Sequence, residues 1–216
     1  MASFPIHSGQ TFLLIGDSIT DCGRRNEKTP YGDGYLSLLR ELAIARHPAL
    51  EIRWLNRGIG GNTVIDLRDR WEDDCIREKP DWLSIKIGIN DLHLTLRKAE
   101  RAADPQRFKT AYRSLLERVR SATQAELVLI DPFYLSADRE SDGFRRDVLK
   151  LLPEYLAVVE ELAGAFGARH LKTQAVFEEQ MRYRAPQDFA PEPVHPYRIG
   201  HSIIANALYD LLCAAK

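Results

Sequence analysis

The sequence predicts an α/β protein built as a three-layer α/β/α sandwich around a mainly parallel sheet. Short apolar runs of strand length alternate with longer segments whose apolar residues recur at helical spacing. Parallel neighbours need long crossovers, and helices supply those crossovers while covering both faces of the sheet. A chain of 216 residues suits one core, so we expect a single domain over residues 1–216.

The first half of the chain contains three strands separated by two helices. Pro48 ends the first helix, and Pro80 and Asp81 introduce the third strand. The predicted elements are a strand at Thr11 to Ile15, a helix at Tyr35 to Arg46, a strand at Ile52 to Leu55, a helix at Val64 to Ile76 and a strand at Trp82 to Ile87.

The second half continues the alternation. A long amphipathic helix precedes a fully apolar strand, which Pro132 ends. Pro153 interrupts helical hydrogen bonding, so we expect separate helical stretches on either side of it. The other predicted elements are a helix at Pro105 to Ala122, strands at Leu127 to Ile130 and Arg169 to Leu171, and a C-terminal helix from about Ile199 to Cys213.

The composition argues against several classes of partner and cofactor. Lys plus Arg number 30 and Asp plus Glu 31, so neither nucleic acid nor an anionic membrane is an expected partner. Residues 1–10 lack the features of a secretory signal, and no run approaches the ~20 apolar residues of a spanning helix, so we expect a cytoplasmic protein. The widely spaced Cys22, Cys75 and Cys213 predict reduced thiols, without a metal site or other cofactor.

Two groups of conspicuous residues are interpreted as structural. Trp54 and Trp82 lie in predicted strands and Trp71 lies in a predicted helix, where core packing is expected. The charged run from Arg68 to Asp74 is interpreted as the solvated face of a helix.

The chain leaves its first strand through a tight turn that carries a hydroxyl, Gly16-Asp17-Ser18-Ile19-Thr20. In parallel sheets the reacting groups gather at the carboxyl ends of the strands, where free N–H groups can face a substrate. Ser18 is therefore the candidate nucleophile, with Asp17 as a supporting residue. Taken alone, the segment also fits an ordinary turn or helix N-cap.

The second and third strands end in segments that can supply hydrogen-bond donors. Gly58, Gly60 and Gly61 let the backbone approach another group, and the Gly61 N–H can point at an oxyanion. Their spacing does not give the G-x-G-x-x-G pattern of dinucleotide sites. Asn90 offers a carboxamide donor to developing negative charge, with Asp91 as a supporting residue. Each segment alone also fits common turn chemistry.

A proline-stiffened loop near the C-terminus carries the candidate base. Glu192 lies three residues before His195, and its carboxylate can accept the second imidazole N–H. Asp188 is the alternative carboxylate if the loop doubles back. His201 is an alternative base, although its place beside Gly200 favours capping or packing. A nucleophile, two oxyanion donors and a base in this order at strand ends together predict nucleophilic catalysis.

These residues resemble the four conserved blocks of the SGNH hydrolases, also called the GDSL-type esterase family. Nearly the whole chain is similar to the compact bacterial acetylxylan-esterase-like members. The stretches that carry the likeness are Leu14 to Asp21, Gly60 to Thr63, Lys79 to Trp82, Ile87 to Asp91 and the segment around His195. The resemblance implies a flavodoxin-like sheet, a serine esterase without a metal, and an oxyanion hole from the N–H groups of Ser18 and Gly61 and the Asn90 side chain. The chain departs from the family at Glu192, where aspartate is usual.

The same resemblance implies a small ester substrate, with acetyl groups on xylo-oligosaccharides or other sugars as the first choice. A broader short-chain acyl esterase or thioesterase stays open, as does a carbohydrate-binding protein whose catalysis is impaired through Glu192. Some similar esterases form homo-oligomers, so self-association also stays open. The aromatic residues that could line a sugar site near strand ends are Tyr31, Tyr35, Phe133 and Tyr134.

Overall fold

The computed structural model describes residues 4–25, 30–138 and 143–214. Its strands are β1 (Thr11–Gly16), β2 (Arg53–Gly58), β3 (Trp82–Lys86), β4 (Glu126–Ile130) and β5 (Arg169–Leu171). All pair in parallel in the order β2-β1-β3-β4-β5, which is the flavodoxin-like order. The inner strands β1, β3 and β4 are almost wholly buried, because helices cover both faces of the sheet.

The helices form the two outer layers. They are α1 (Ser18–Asp21), α2 (Tyr35–Arg46), α3 (Val64–Trp71), α4 (Ile89–Leu96), α5 (Pro105–Ala122), α6 (Phe144–Phe166), α7 (Thr173–Met181) and α8 (Arg198–Cys213). Helix α2 packs against α8, whereas α5 packs against both α3 and α6. Right-handed crossovers place α2 on one face of the sheet and α3, α5 and α6 on the other. The predicted three-layer architecture is confirmed. None of the helices within the described ranges is long and apolar enough to cross a bilayer.

Strongly periodic segments agree with their predicted bounds, and short ones do not. Helices α2 and α5 begin and end at the predicted residues. The helix predicted over Val64 to Ile76 is α-helical only to Trp71 and continues as a π-helical turn over Glu72–Ile76. Helices α1, α4 and α7 were not predicted, because segments of four to nine residues show little periodicity. The three tryptophans are buried, as expected.

The expectation of separate helical stretches around Pro153 was wrong. Helix α6 runs without interruption through Pro153. An interior proline costs about 3 kcal/mol, but Val148, Leu152 and Val159 are buried on both sides of it. Each such side chain contributes about 1.5–3 kcal/mol on burial, so the packed face outweighs the local loss.

The carboxyl ends of β1 and β3 lie side by side, at the position where open α/β sheets form a crevice. The two strands are neighbours, but the chain leaves β1 towards β2 and leaves β3 towards β4, which makes this edge the topological switch point. The strand ends approach closely here, since a Cβ on Gly16 would lie 2.1 Å from the carbonyl oxygen of Lys86. The segments that follow β1, β2 and β3 therefore meet at one edge.

Candidate active site

The turn after β1 presents Ser18 as the first residue of α1. Asp17 is the N-cap, and its carboxylate accepts a hydrogen bond from Ile19 N at 3.0 Å. The same carboxylate pairs with Lys86 Nζ at 3.2 Å, and both side chains are buried. Burial lowers the pKa of Lys86, while the neighbouring carboxylate opposes that change. This buried ion pair fixes the turn that carries the Ser18 hydroxyl.

Ser18, His195 and Glu192 form a continuous hydrogen-bonded chain. Ser18 Oγ lies 2.8 Å from His195 Nε2. On the other side of the ring, His195 Nδ1 lies 2.5 Å from Glu192 Oε1. The side chains of His195 and Glu192 are 58% and 44% exposed, so the pair is open to solvent.

The Glu192 carboxylate is also held by its own loop. It accepts the backbone N–H of His195 at 2.7 Å and that of Val194 at 2.9 Å. Burial would raise the pKa of Glu192, but these hydrogen bonds and the His195 ring hold it below its usual range. The longer side chain of glutamate thus folds back over the loop and still reaches the imidazole as a charged group.

The structure does not bring the two alternative residues into this chain. Asp188 lies exposed in a 3₁₀ turn, and no hydrogen bond within the described residues joins it to His195. His201 is buried, and its Nδ1 accepts a hydrogen bond from Tyr35 N at 3.2 Å, which caps α2. Burial lowers the pKa of His201 to about 4. His201 is therefore a neutral packing residue.

Three hydrogen-bond donors lie at the ends of neighbouring strands, in the segments that follow β1, β2 and β3. The backbone N–H groups of Ser18 and Gly61 have no hydrogen-bond partner among the described residues. Asn90 donates one amide N–H to Asn62 O at 3.0 Å, and its second N–H has no partner within the part of the chain that the structure describes. Gly61 has φ +81°, although a Cβ there would meet no atom within 4 Å. Its backbone conformation, and not lack of space, is what favours glycine at this position.

The chain belongs to the GDSL-like lipase/acylhydrolase family. The model of that family matches residues 14–203. An acetylxylan esterase of Geobacillus stearothermophilus is 38% identical over 211 residues, which cover 94% of this chain and 93% of the relative. The crystal structure of Axe2, an acetylxylan esterase from the same organism, superposes with a TM-score of 0.84 at 36% identity over 96% of this chain and 95% of Axe2. The structure of LAE5, an α/β hydrolase from the metagenome of Lake Arreo, gives a TM-score of 0.87 at 28% identity over 99% and 100% of the two chains.

This GDSL-like hydrolase is a serine esterase. The catalytic mutants of Axe2 can be compared with this chain at Glu192, where the family usually has aspartate. Those mutants replace a serine, an aspartate or a histidine by alanine. The Axe2 aspartate and histidine are three positions apart, as Glu192 and His195 are here. Glutamate therefore stands at the spacing at which Axe2 has its aspartate.

Asp91, which follows Asn90 in this GDSL-like hydrolase, connects α4 to the start of α3. Asp91 is buried and accepts the N–H of Val64 at 3.0 and 3.2 Å, so it caps α3. Burial raises the pKa of Asp91 to about 7. Within the described ranges, no group of three or more His, Cys, Asp or Glu residues is placed to hold a metal ion.

Arg70 joins the loop that follows β2 to the strand ends. Its guanidinium donates to Asn62 Oδ1 at 2.8 Å, to Arg57 O at 2.8 Å and to Gly16 O at 3.2 Å. Its side chain is only 16% exposed, so the interpretation of this helix face as solvated was wrong for Arg70. Arg68 and Asp69 are exposed, as expected. Sequence periodicity misses Arg70 because its partners lie on three other segments.

Most of the aromatic residues considered for a sugar site belong to the core. Tyr35, Phe133 and Tyr134 are buried, so they cannot offer a ring face to a ligand. Only Tyr31 is partly exposed, and Arg40 covers its ring at 4.6 Å. The sequence analysis also missed Lys86, although a lysine in a mostly apolar strand is a visible signal of a buried partner.

Proposed function

We propose that this serine esterase removes acetyl groups from xylo-oligosaccharides or similar acetylated sugars through an acyl-enzyme on Ser18. The observation that carries the proposal is the hydrogen-bonded chain from Ser18 Oγ through His195 to Glu192. The substrate class is supported by the similarity to Axe2, which is described as an acetyl-xylooligosaccharide esterase.

In the acylation step, His195 Nε2 takes the Ser18 proton as Oγ attacks the acetyl carbonyl carbon. The carbonyl oxygen becomes an oxyanion, which the N–H groups of Ser18 and Gly61 and the free N–H of Asn90 stabilise. Each such donor contributes about 3 kcal/mol, because its dipole already points to the place where charge develops. The intermediate then collapses, and the sugar oxygen leaves with the proton from His195.

In the deacylation step, water takes the place of the sugar. His195 removes a proton from the water, which attacks the acetyl-serine, and acetate leaves as Ser18 Oγ recovers its proton. Glu192 accepts the His195 Nδ1 hydrogen throughout and stabilises the imidazolium that forms in both steps. An impaired carbohydrate-binding protein gains no support, since the Glu192 carboxylate reaches Nδ1. The cytoplasmic location and self-association stay predictions.

The test compares acetate release from a mono-O-acetylated methyl xyloside by wild type and Ser18→Ala. Ser121→Ala, at an exposed serine in the last turn of α5, is the matched control. We expect Ser18→Ala to lose turnover while the control and both thermal midpoints stay at the wild-type value. Acetate release that survives in a folded Ser18→Ala protein refutes the mechanism. Ser18-dependent turnover of longer acyl chains at equal kcat/KM supports the broader acyl esterase instead.

A further inference from the structure

His93 lies one helical turn beyond the oxyanion donor. Helix α4 begins directly after β3, and Asn90 and His93 are three residues apart on it, so their side chains share one face. The bond from Asn90 to Asn62 O ties the start of this face to the loop that carries Gly61. The His93 ring therefore continues the wall of the crevice that Asn90 begins.

The far side of the His93 ring contacts the segment that supports the base. The ring packs edge-on against Tyr134 with centroids 6.0 Å apart. The next residue, Leu135, donates its N–H to Pro193 O at 2.8 Å, between Glu192 and His195 in the chain. His93 is thus placed between the oxyanion donors and the loop of the base.

An exposed aromatic ring adjoins His93. Phe144, the first residue of α6, packs against it with centroids 5.1 Å apart and is 37% exposed. Arg97 lies one turn further along α4, with its guanidinium 5.3 Å from the Phe144 ring centre. A partly exposed ring beside a polar imidazole is the combination that binds one face and one hydroxyl of a sugar.

The His93 imidazole is neutral. Burial lowers its pKa to about 4, and the charge of Arg97 acts in the same direction. Its Nε2 is buried and has no hydrogen-bond partner within the described residues, whereas Nδ1 is not among the buried unpartnered atoms there. Unpaired buried N–H groups are rarer than unpaired buried acceptors, so we assign the proton to Nδ1. This leaves an N–H donor at the accessible side of the ring.

We propose that His93 and Phe144 form the subsite for the sugar ring of the ester, with His93 Nδ1–H donating to a sugar oxygen and Phe144 contacting the ring face. This subsite rests on the proposed function, because it takes the alcohol part of the same acetyl ester. It makes His93 a specificity residue that acts on the sugar and leaves the acetyl-transfer steps to Ser18 and His195.

The experiment compares two acetate esters that give the same acyl-enzyme. One is a mono-O-acetylated methyl xyloside, and the other is ethyl acetate, which has no ring and no hydroxyl. The variants are His93→Phe, which keeps a ring and removes the nitrogen atoms, and Phe144→Leu. His7→Phe is the matched control, because His7 is exposed and precedes the first strand of the sheet. Acetate release is followed by titration at constant pH, and thermal midpoints are recorded for each variant.

We expect His93→Phe to raise KM for the xyloside so that kcat/KM falls about 3- to 10-fold, which is the size of one neutral hydrogen bond. For ethyl acetate, we expect kcat/KM to change less than 2-fold. An equal loss on both esters, or no loss on either, overturns the proposal. A rise in the kcat/KM of His93→Phe for ethyl butyrate relative to ethyl acetate also overturns the proposal, since His93 would then limit the length of the acyl chain. Wild-type xyloside turnover that does not depend on Ser18 refutes the proposed function itself, so the two failures are distinguishable.

Discussion

Replacing Glu192 with glutamine removes one charge from the base loop. With its amide oxygen in the place of Oε1, the new side chain still accepts the His195 Nδ1 hydrogen, so the ring keeps its orientation. The amide nitrogen then takes the place of Oε2 and cannot accept the Val194 N–H. What is lost is the attraction between the carboxylate and the imidazolium that forms in both transition states, together with one hydrogen bond of the loop.

The size of the effect follows from the distance and the exposure of the pair. The hydrogen bond from His195 Nδ1 to Glu192 Oε1 is 2.5 Å long, and the two side chains are about half exposed. Unit charges about 4 Å apart interact by about 1 kcal/mol in water and by about 4 kcal/mol at an effective dielectric constant near 20. An intermediate value of about 2–3 kcal/mol corresponds to a loss of roughly 30- to 150-fold in kcat.

The assay is kcat on saturating mono-O-acetylated methyl xyloside at neutral pH, for wild type, Glu192→Gln and Glu192→Asp. Glu192→Asp keeps the charge at a shorter reach, so we expect it to retain more activity than Glu192→Gln. Thermal midpoints identify any variant whose loop no longer folds. Equal kcat for wild type and Glu192→Gln would show that His195 needs no charged partner, and the reasoning above would then be wrong.

Substitutions at three other positions test the surroundings of Ser18 and His195. Asn90→Ala should lower kcat about 10²- to 10³-fold with little change in KM, because the donor acts on the oxyanion; a change in KM alone would contradict this. Arg70→Met should lower kcat and leave KM unchanged, since Arg70 positions Asn62 and the strand ends. Arg70→Lys should recover part of the lost kcat. A lower thermal midpoint without a change in kcat would show that Arg70 only stabilises the fold. The pKa of His201 is about 4 in the folded chain and about 6.5 in the unfolded chain, so protonation favours the unfolded chain. The free energy of unfolding should therefore fall by up to about 3 kcal/mol as the pH drops from about 6.5 towards 4. His201→Gln should lose this part of the pH dependence in denaturant titrations, and an unchanged pH profile would contradict the assignment.

Much of the candidate site was accessible from the sequence because one rule of parallel sheets links it to strand positions. The segments after the first three strands must meet at one edge, so the sequence alone is enough to group Ser18, Gly61 and Asn90. The triad carboxylate was harder to choose, because the reach of Glu192 depends on how its loop folds. The structure joins Glu192 to the His195 ring and holds its carboxylate through the N–H groups of Val194 and His195, whereas no bond within the described residues links Asp188 to that ring.

The features that escaped prediction depend on contacts between distant segments. Capping or packing was expected of His201, but the bond by which it caps α2, to a residue 166 positions earlier in the chain, was not predicted. The pairing of Lys86 with a carboxylate 69 positions earlier was not predicted either. Periodicity describes one element at a time, so it cannot register such pairs. Pro153 is a further example, because the rule that proline breaks a helix is local. The packing of α6 against the core outweighs that local effect, so the helix continues.

Within the described residues, the hydrogen bonds of the Glu192 carboxylate all go to its own loop: the His195 ring and two backbone N–H groups. The distance between the acid and the base is therefore set locally, inside one segment of four residues. The position of that segment relative to Ser18 depends instead on contacts with other parts of the chain, such as the hydrogen bond from Leu135 N to Pro193 O. Substitutions within the loop and substitutions in its supports should therefore affect different distances: the first that from Glu192 to His195, the second that from His195 Nε2 to Ser18 Oγ.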